Sequence, residues 1–178
     1  NEVASISEKT LASYVSVLNK VFVLDDILAW RPNLRSKTAV RTSNTRHFVD
    51  PAIGTAALNM SPDDLINDFE SFGLFFESLC VRDMRCYAQG LDGQVFHYRD
   101  KKDREVDIVI HLDNGQYGLV EVKLYSEERI DEAAKNLLKI AEDIDYKKMK
   151  KPSFFMVLTG GNYAYKRKDG VFVVPLAT

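Results

Sequence analysis

Residues 104–124 read Arg104-Glu-Val-Asp-Ile-Val-Ile-His-Leu-Asp-Asn-Gly-Gln-Tyr-Gly-Leu-Val-Glu-Val-Lys-Leu124, two apolar runs on either side of Asp113-Asn114-Gly115. Alternating β-branched residues around such a turn predict a β-hairpin. Its register depends on the turn. With a three-residue loop and Gly115 in the left-handed conformation, Leu112 faces Gln116, Asp107 lies opposite Glu121, and Glu105 lies opposite Lys123. Val106, Ile108, Ile110 and Leu112 then share one face with Val120, Val122 and Leu124. The other face collects Asp107, Val109, Leu119, Glu121 and Lys123. A two-residue turn at Asn114-Gly115, itself a strong turn signal, would set Asp107 opposite Val122 and scatter the charges. The three-residue loop sorts the apolar residues of both strands consistently and is the predicted register.

A strand core normally avoids charge, because an unpaired buried ion costs several kcal/mol. Two facing carboxylates repel by about 1 kcal/mol or less when solvated, and a divalent cation between them removes the repulsion. Magnesium or manganese suits such a pair, since either takes a few carboxylates and keeps water and phosphate oxygens as further ligands. A centre of this kind polarises a scissile phosphate and acidifies an attacking water, with Lys123 stabilising the phosphorane or orienting that water. Asp107 and Glu121 are therefore candidate metal ligands, and Lys123 a candidate catalytic residue. The same spacing also suits a plain ion cluster in which Lys123 pairs with Glu105 and Glu121, and spacing alone leaves both readings open.

Upstream, Ser61-Pro62-Asp63-Asp64 is a helix start, with Ser61 as cap, proline at the first helical position and acids in the first turn. The helix is predicted over 62–88, with Leu65, Phe69, Phe72, Phe76 and Leu79 as its apolar stripe. Gly73 and Glu77 sit one turn apart on the neighbouring face. A glycine inside a helix costs about 1 kcal/mol relative to alanine, which suggests close packing of Gly73 against a sheet. That packing would aim Glu77 at the strand carrying Asp107; a solvated Glu77 beside the stripe is the alternative.

The element order follows. A strand is predicted over 94–99, hairpin strands over 104–112 and 116–124, and a helix capped by Ser126 over 127–144. The nearly all-apolar Ser153-Phe-Phe-Met-Val-Leu-Thr159 reads as a buried strand, and Gly170-Val-Phe-Val-Val174 as another.

Helix, three strands, helix and strand, with an acid on the second strand and Glu-x-Lys on the third, resembles the restriction-endonuclease-like αβββαβ core of the PD-(D/E)XK superfamily. More narrowly, Gly73-Leu-Phe-Phe-Glu77, Arg104-Glu-Val-Asp107 and Val120-Glu-Val-Lys123 resemble the domain of unknown function at the C-terminal end of many prokaryotic AAA-type ATPases. Val106 stands where the superfamily usually has proline. The resemblance runs from about Ser7 to Val174. It implies an α/β fold with a mixed sheet flanked by helices, Asp107 and Glu121 as ligands of magnesium or manganese, Lys123 as the catalytic lysine and Glu77 as an accessory catalytic acid. It also implies an ATP-binding module upstream in the same chain.

The N-terminal third differs in character. Ser7 can cap a helix with Leu11, Tyr14, Val15 and Leu18 on one face, followed by a strand over 22–28. Between Asp26 and Asp50 the chain has no acid but carries Arg31, Arg35, Lys37, Arg41, Arg46 and His47. Helix, strand, basic loop and strand resemble the end of a winged helix, an element the ATPase-linked family has at this place. A basic wing holds phosphate backbone, so Arg35, Lys37, Arg41 and Arg46 are candidate nucleic-acid contacts, although winged helices also serve as linkers and docking modules. The expected division is a partial winged-helix segment over 1–60 and a restriction-endonuclease-like domain over 61–178. The chain begins without methionine, just before the recognition helix the resemblance implies, and reads as a fragment lacking an ATPase module.

With 178 residues, 46% of them hydrophobic, the chain can bury one good core or somewhat more. A formal net charge of −2 excludes a globally basic nucleic-acid binder. The runs Lys147-Lys148-Met149-Lys150-Lys151 and Lys166-Arg167-Lys168 read as a solvated helix end and turn. Cys80 and Cys86 lack metal spacing and fit a reduced cytoplasmic protein. His47, His97 and His111 are too dispersed for zinc and read as surface or strand residues. No stretch is long and apolar enough to span a membrane, and there is no Walker-type loop, repeat or low-complexity segment. Apolar surface near the N-terminus could drive homo-oligomer contacts. Three functional readings follow: a metal-dependent nuclease domain, a non-catalytic DNA-binding or regulatory module of the ATPase, and a protein-interaction domain.

Overall fold

The computed structural model describes residues 6–34, 40–124 and 126–177. Ser7 caps α1 (Glu8–Lys20) as expected, accepting the Thr10 N–H at 3.2 Å. Two short strands, β1 (Leu24–Ile27) and β2 (Thr45–Phe48), pair antiparallel with Asp25 opposite His47. A helix the apolar spacing does not announce, α2 (Pro51–Ala57), follows, with Asp50 as its cap.

The single helix expected over 62–88 is two, α3 (Pro62–Asn67) and α4 (Phe69–Gln89). Ser61 starts the first through a capping box with Asp64. The break falls at Asp68, which leaves helical geometry at φ −125° and ψ 80° and caps α4 by accepting the Ser71 N–H at 3.1 Å. A short acidic side chain competes for backbone N–H groups in this way and restarts the helix. The buried stripe moves with it: Phe69 is exposed, and the face that reaches the sheet carries Phe76, Cys80, Val81 and Met84.

The remaining elements are β3 (Gly93–Arg99), β4 (Glu105–Leu112), β5 (Tyr117–Lys123), α5 (Glu127–Glu142), β6 (Phe154–Thr159), β7 (Tyr165–Lys166) and β8 (Phe172–Pro175). They form a six-stranded mixed sheet in the order β3-β4-β5-β6-β8-β7. The first three strands are antiparallel; β5, β6 and β8 run parallel, and β7 closes the edge antiparallel. α5 is the crossover from β5 to β6. It covers one face with Ala134, Leu137 and Ile140 against Val109 and Leu119, while α4 covers the other against Ile108, Val120 and Val122. This is a mixed α/β architecture with helices on both faces of the sheet. Trp30 belongs to the α5-side core, its backbone N–H donating to the His97 carbonyl at 2.7 Å and its indole N–H to His111 Nδ1 at 3.2 Å. Among the described residues no helix is long and apolar enough to cross a membrane.

The hairpin takes the three-residue loop. Ile108 pairs with Val120 and His111 with Tyr117, Leu112 N–H donates to the Gln116 carbonyl at 2.8 Å, and Gly115 has φ +78°. One expectation fails. Phe96 pairs with Val109 and Tyr98 with Val106, so β4 advances three residues where β3 advances two. The extra residue is a bulge that re-aims a side chain: Val106 joins Val109 in the α5-side core instead of Ile108 on the α4 side.

Candidate active site

The paired ladder between β4 and β5 ends at Ile108–Val120. One step on, the Val122 N–H donates to Asp107 Oδ2 at 2.7 Å, so this carboxylate serves as the strand's hydrogen-bond partner. Lys123 Nζ lies 3.7 Å from Asp107 Oδ2 and 3.4 Å from Glu121 Oε1. Asp107, Glu121 and Lys123 therefore meet as expected. Glu105 does not join them. Because the ladder has ended and β4 is bulged, Glu105 turns to Arg99, with Oε2 3.5 Å from Nη1, and the expected pairing with Lys123 is absent.

Burial makes this cluster electrostatically strained. Glu121 is only 5% exposed, and its Oε2 is buried with no hydrogen-bond partner. Burial and the Asp107 charge hold the Glu121 carboxyl well above the ordinary range, with Lys123 offsetting part of the effect. Asp107 is raised chiefly by burial, against the pull of Lys123 and the Val122 N–H. Burial works against the Lys123 ammonium, but Asp107 and Glu121 outweigh it and raise its pKa. Negative charge thus exceeds what one lysine balances. That excess, with one carboxylate oxygen left unpartnered, is what a hard divalent cation would relieve. Among the described residues no group of three His, Cys, Asp or Glu side chains converges to hold a metal. The donor set offered is the expected pair, Asp107 and Glu121, which suits an ion that keeps water or phosphate oxygens as further ligands.

Glu77 approaches from α4. Its Oε1 is 4.0 Å from His47 Nε2 on β2, and its pKa rises to about 7 through burial first and repulsion from Asp107 second. It shares the field of the cluster while facing the β1–β2 hairpin. Close packing does not require Gly73, since an added methyl would meet only Leu124 Cδ1 at 3.9 Å. That contact does lay this turn of α4 over the end of β5.

A family model described as a domain of unknown function, DUF4143, matches residues 72–178. The chain belongs to the DUF4143 family. Glu77, Asp107, Glu121 and Lys123 all lie inside the matched region. A second model, also a domain of unknown function, DUF8612, matches residues 1–64. Comparison with curated proteins and with solved structures finds no match.

The basic residues are spread over both matched regions, and the interval between them, residues 65–71, has none. Of the four candidate nucleic-acid contacts, Arg35 and Lys37 lie outside the described residues. Arg41 is held at the β3–β4 turn by Asp103 at 2.6 Å, and Arg46, on β2, pairs with Asp26 at 3.0 Å. In the DUF4143 region, Arg104 is occupied structurally, bonding both the fully buried Asp100 and Asp143 at 2.6 Å. Sequence reasoning missed the surroundings of Glu77. His47, read as a plain strand residue, does sit on a strand, but burial lowers its pKa to about 4, and Nδ1 lies 3.4 Å from Ser78 Oγ. Thr45-Arg46-His47-Phe48 has no apolar–polar alternation, so no signal in the sequence marks His47 as partly buried.

Proposed function

We propose that this DUF4143-family chain carries a metal-dependent nucleic-acid phosphodiesterase centre and forms the nuclease-like C-terminal part of an AAA-type ATPase. The observation that carries the reading is the buried, unpartnered Oε2 of Glu121, on a carboxylate whose other oxygen, Oε1, lies 3.4 Å from Lys123 Nζ, itself 3.7 Å from Asp107. Asp107 and Glu121 would hold magnesium or manganese. The bound ion would supply Lewis-acid polarisation of a phosphate and an acidified water. Lys123 keeps its proton between the two acids and presents positive charge to a phosphate oxygen, where a fixed cation in a desolvated site is most effective. Glu77 is the group best suited to hold or release a proton near neutrality, since its pKa of about 7 lies at the working range of a general acid or base. The run α4, β3 to β5, α5, β6 supports the restriction-endonuclease-like reading of the core, and α1 with the β1–β2 hairpin supports a winged-helix end before it.

The test is a calorimetric titration of manganese into the wild type and Glu121→Gln, followed by cleavage assays on DNA and RNA. Binding that vanishes in Glu121→Gln, together with metal-dependent cleavage lost in the same variant, is the expected result. Cleavage that survives the substitution removes the assignment. A second reading has its own support: Lys123 within 4 Å of both carboxylates already makes a self-contained ion cluster. On that reading the chain is a non-catalytic DNA-binding or protein-interaction module, showing salt-dependent DNA binding or docking without metal-dependent hydrolysis.

A further inference from the structure

Glu77, which shares the field of Asp107, also lines a cavity of about 550 Å³ between the β1–β2 hairpin and α4. That volume falls in the range, about 300–1,000 Å³, of pockets that enclose a small organic molecule. Its walls are mostly apolar and partly aromatic. Phe48 and Phe75 form a shallow tilted pair with ring centroids 6.1 Å apart and planes at 32°, and the exposed Leu58 and Leu74 stand at its mouth. A few polar groups interrupt this lining. Thr45 Oγ1 is buried without a hydrogen-bond partner, Ser78 Oγ lies beside His47 Nδ1, and Glu77 presents its carboxyl to the same space. Arg46 stands in the lining with its guanidinium tied to Asp26.

Flat apolar walls with sparse hydrogen-bonding atoms suit an aromatic heterocycle better than an aliphatic chain, which would leave the polar atoms unpaired. A cation at the rim suits the phosphate attached to such a ring. We infer that this cavity takes one unpaired nucleobase of a single-stranded nucleic acid whose backbone runs on to Asp107, Glu121 and Lys123, with Glu77 as the wall shared by the two sites. The inference rests on the nucleic-acid reading above and adds the substrate class: strands whose bases are unstacked, as in single strands, loops or extruded positions. Bases inside a duplex are stacked and cannot enter a side pocket. Recognition by stacking also tolerates any base, so little sequence preference is expected.

The experiment uses the intact chain in EDTA, so that no cleavage intervenes, and a fluorescein-labelled single strand of about twelve nucleotides, a length of the order such sites cover. Anisotropy is measured for this strand as DNA and as RNA, for its duplex, and for the same strand with abasic sites throughout. Ser71→Trp fills the cavity from the first turn of α4 without removing a core side chain, and Phe75→Leu removes an aromatic face while keeping its bulk. The expected result is binding of the single strand, weakened roughly five- to hundredfold by either substitution and by loss of the bases, with the duplex bound weakly. Manganese binding should be unchanged in Ser71→Trp. The comparison of DNA with RNA identifies the sugar. Equal binding of intact and abasic strands, or wild-type affinity in both variants, overturns the base pocket and leaves the metal centre standing. No binding of any strand also overturns it. If manganese binding is absent as well, the phosphodiesterase reading falls with it.

Discussion

Glu77 gives the sharpest quantitative test of the electrostatics. Its pKa moves from an ordinary 4.5 to about 7 because burial and the Asp107 charge disfavour the carboxylate. At about 1.4 kcal/mol per pH unit the full effect is about 3–4 kcal/mol. The side chain remains 33% exposed, so solvent screening reduces this to about 1–2 kcal/mol. The folded state holds this proton more tightly than the unfolded chain, so the contribution is complete below pH 4.5 and is lost as pH rises through about 7. Glu77→Gln keeps the shape and cannot ionise. It should match the wild type near pH 4.5 and exceed it above pH 8 by about 1–2 kcal/mol, or roughly 2–8 °C in melting temperature for a chain of this size.

Circular-dichroism melts of both proteins at intervals between pH 4.5 and 8.5 make the measurement. The difference between the two curves is the quantity of interest. His47, with its pKa lowered to about 4 by burial, contributes the opposite slope, losing stability as pH falls from 6.5 toward 4, but it does so in both proteins. A Glu77→Gln protein less stable than the wild type at pH 8, or a difference that does not change with pH, would refute the placement of Glu77 in the field of Asp107.

Three further outcomes follow from the geometry. Arg104→Leu strips the cation from Asp100, which is fully buried and whose Oδ2 accepts from Arg104 Nε at 2.9 Å and Nη2 at 2.6 Å, so urea denaturation should show a loss of about 3–5 kcal/mol. Two glycines should respond in opposite directions in thermal melts: Gly73→Ala gains about 0.5–1 kcal/mol, because only Leu124 is near, while Gly118→Ala loses about 1–3 kcal/mol, because a methyl would overlap the Phe154 ring. Manganese at a hundredfold excess over its dissociation constant should stabilise the wild type by about 2.7 kcal/mol. The same addition should leave the melting temperature of Glu121→Gln unmoved; equal stabilisation of both proteins would place the metal elsewhere.

The hairpin could be read from the chain because Asp113-Asn114-Gly115 demands a positive φ at one position and the apolar residues on both sides test each register. The bulge in β4 could not. The run from Val106 to Ile110 is apolar apart from Asp107 and carries no mark of an extra residue, which shows only in the pairing with the neighbouring strand, where Phe96 and Tyr98 sit one step closer than their partners. Asp68 was invisible for a related reason. In an amphipathic run it resembles any solvent-facing residue, and only its side-chain bond to Ser71 shows that it ends one helix and starts another. α2 carries Gly54 as its one buried residue and so lacks the stripe by which helices are recognised.

The acidic centre was legible for the opposite reason, that charge inside an apolar strand is costly and therefore conspicuous. What the sequence could not reveal was the turn of Glu105 away from Lys123 to Arg99, or the cavity lined by Glu77, whose aromatic rings come from Phe48 and Phe75 on separate elements. The same arithmetic links legibility to function. Burial raises Asp107, Glu121 and Glu77 together, and one lysine does not balance them. A neutral side chain in place of Glu121 would relieve that imbalance without a cation, at the loss of its ion pair with Lys123. A bound cation would reverse this balance, because the charge that weakens the empty fold is the charge that would hold the ion.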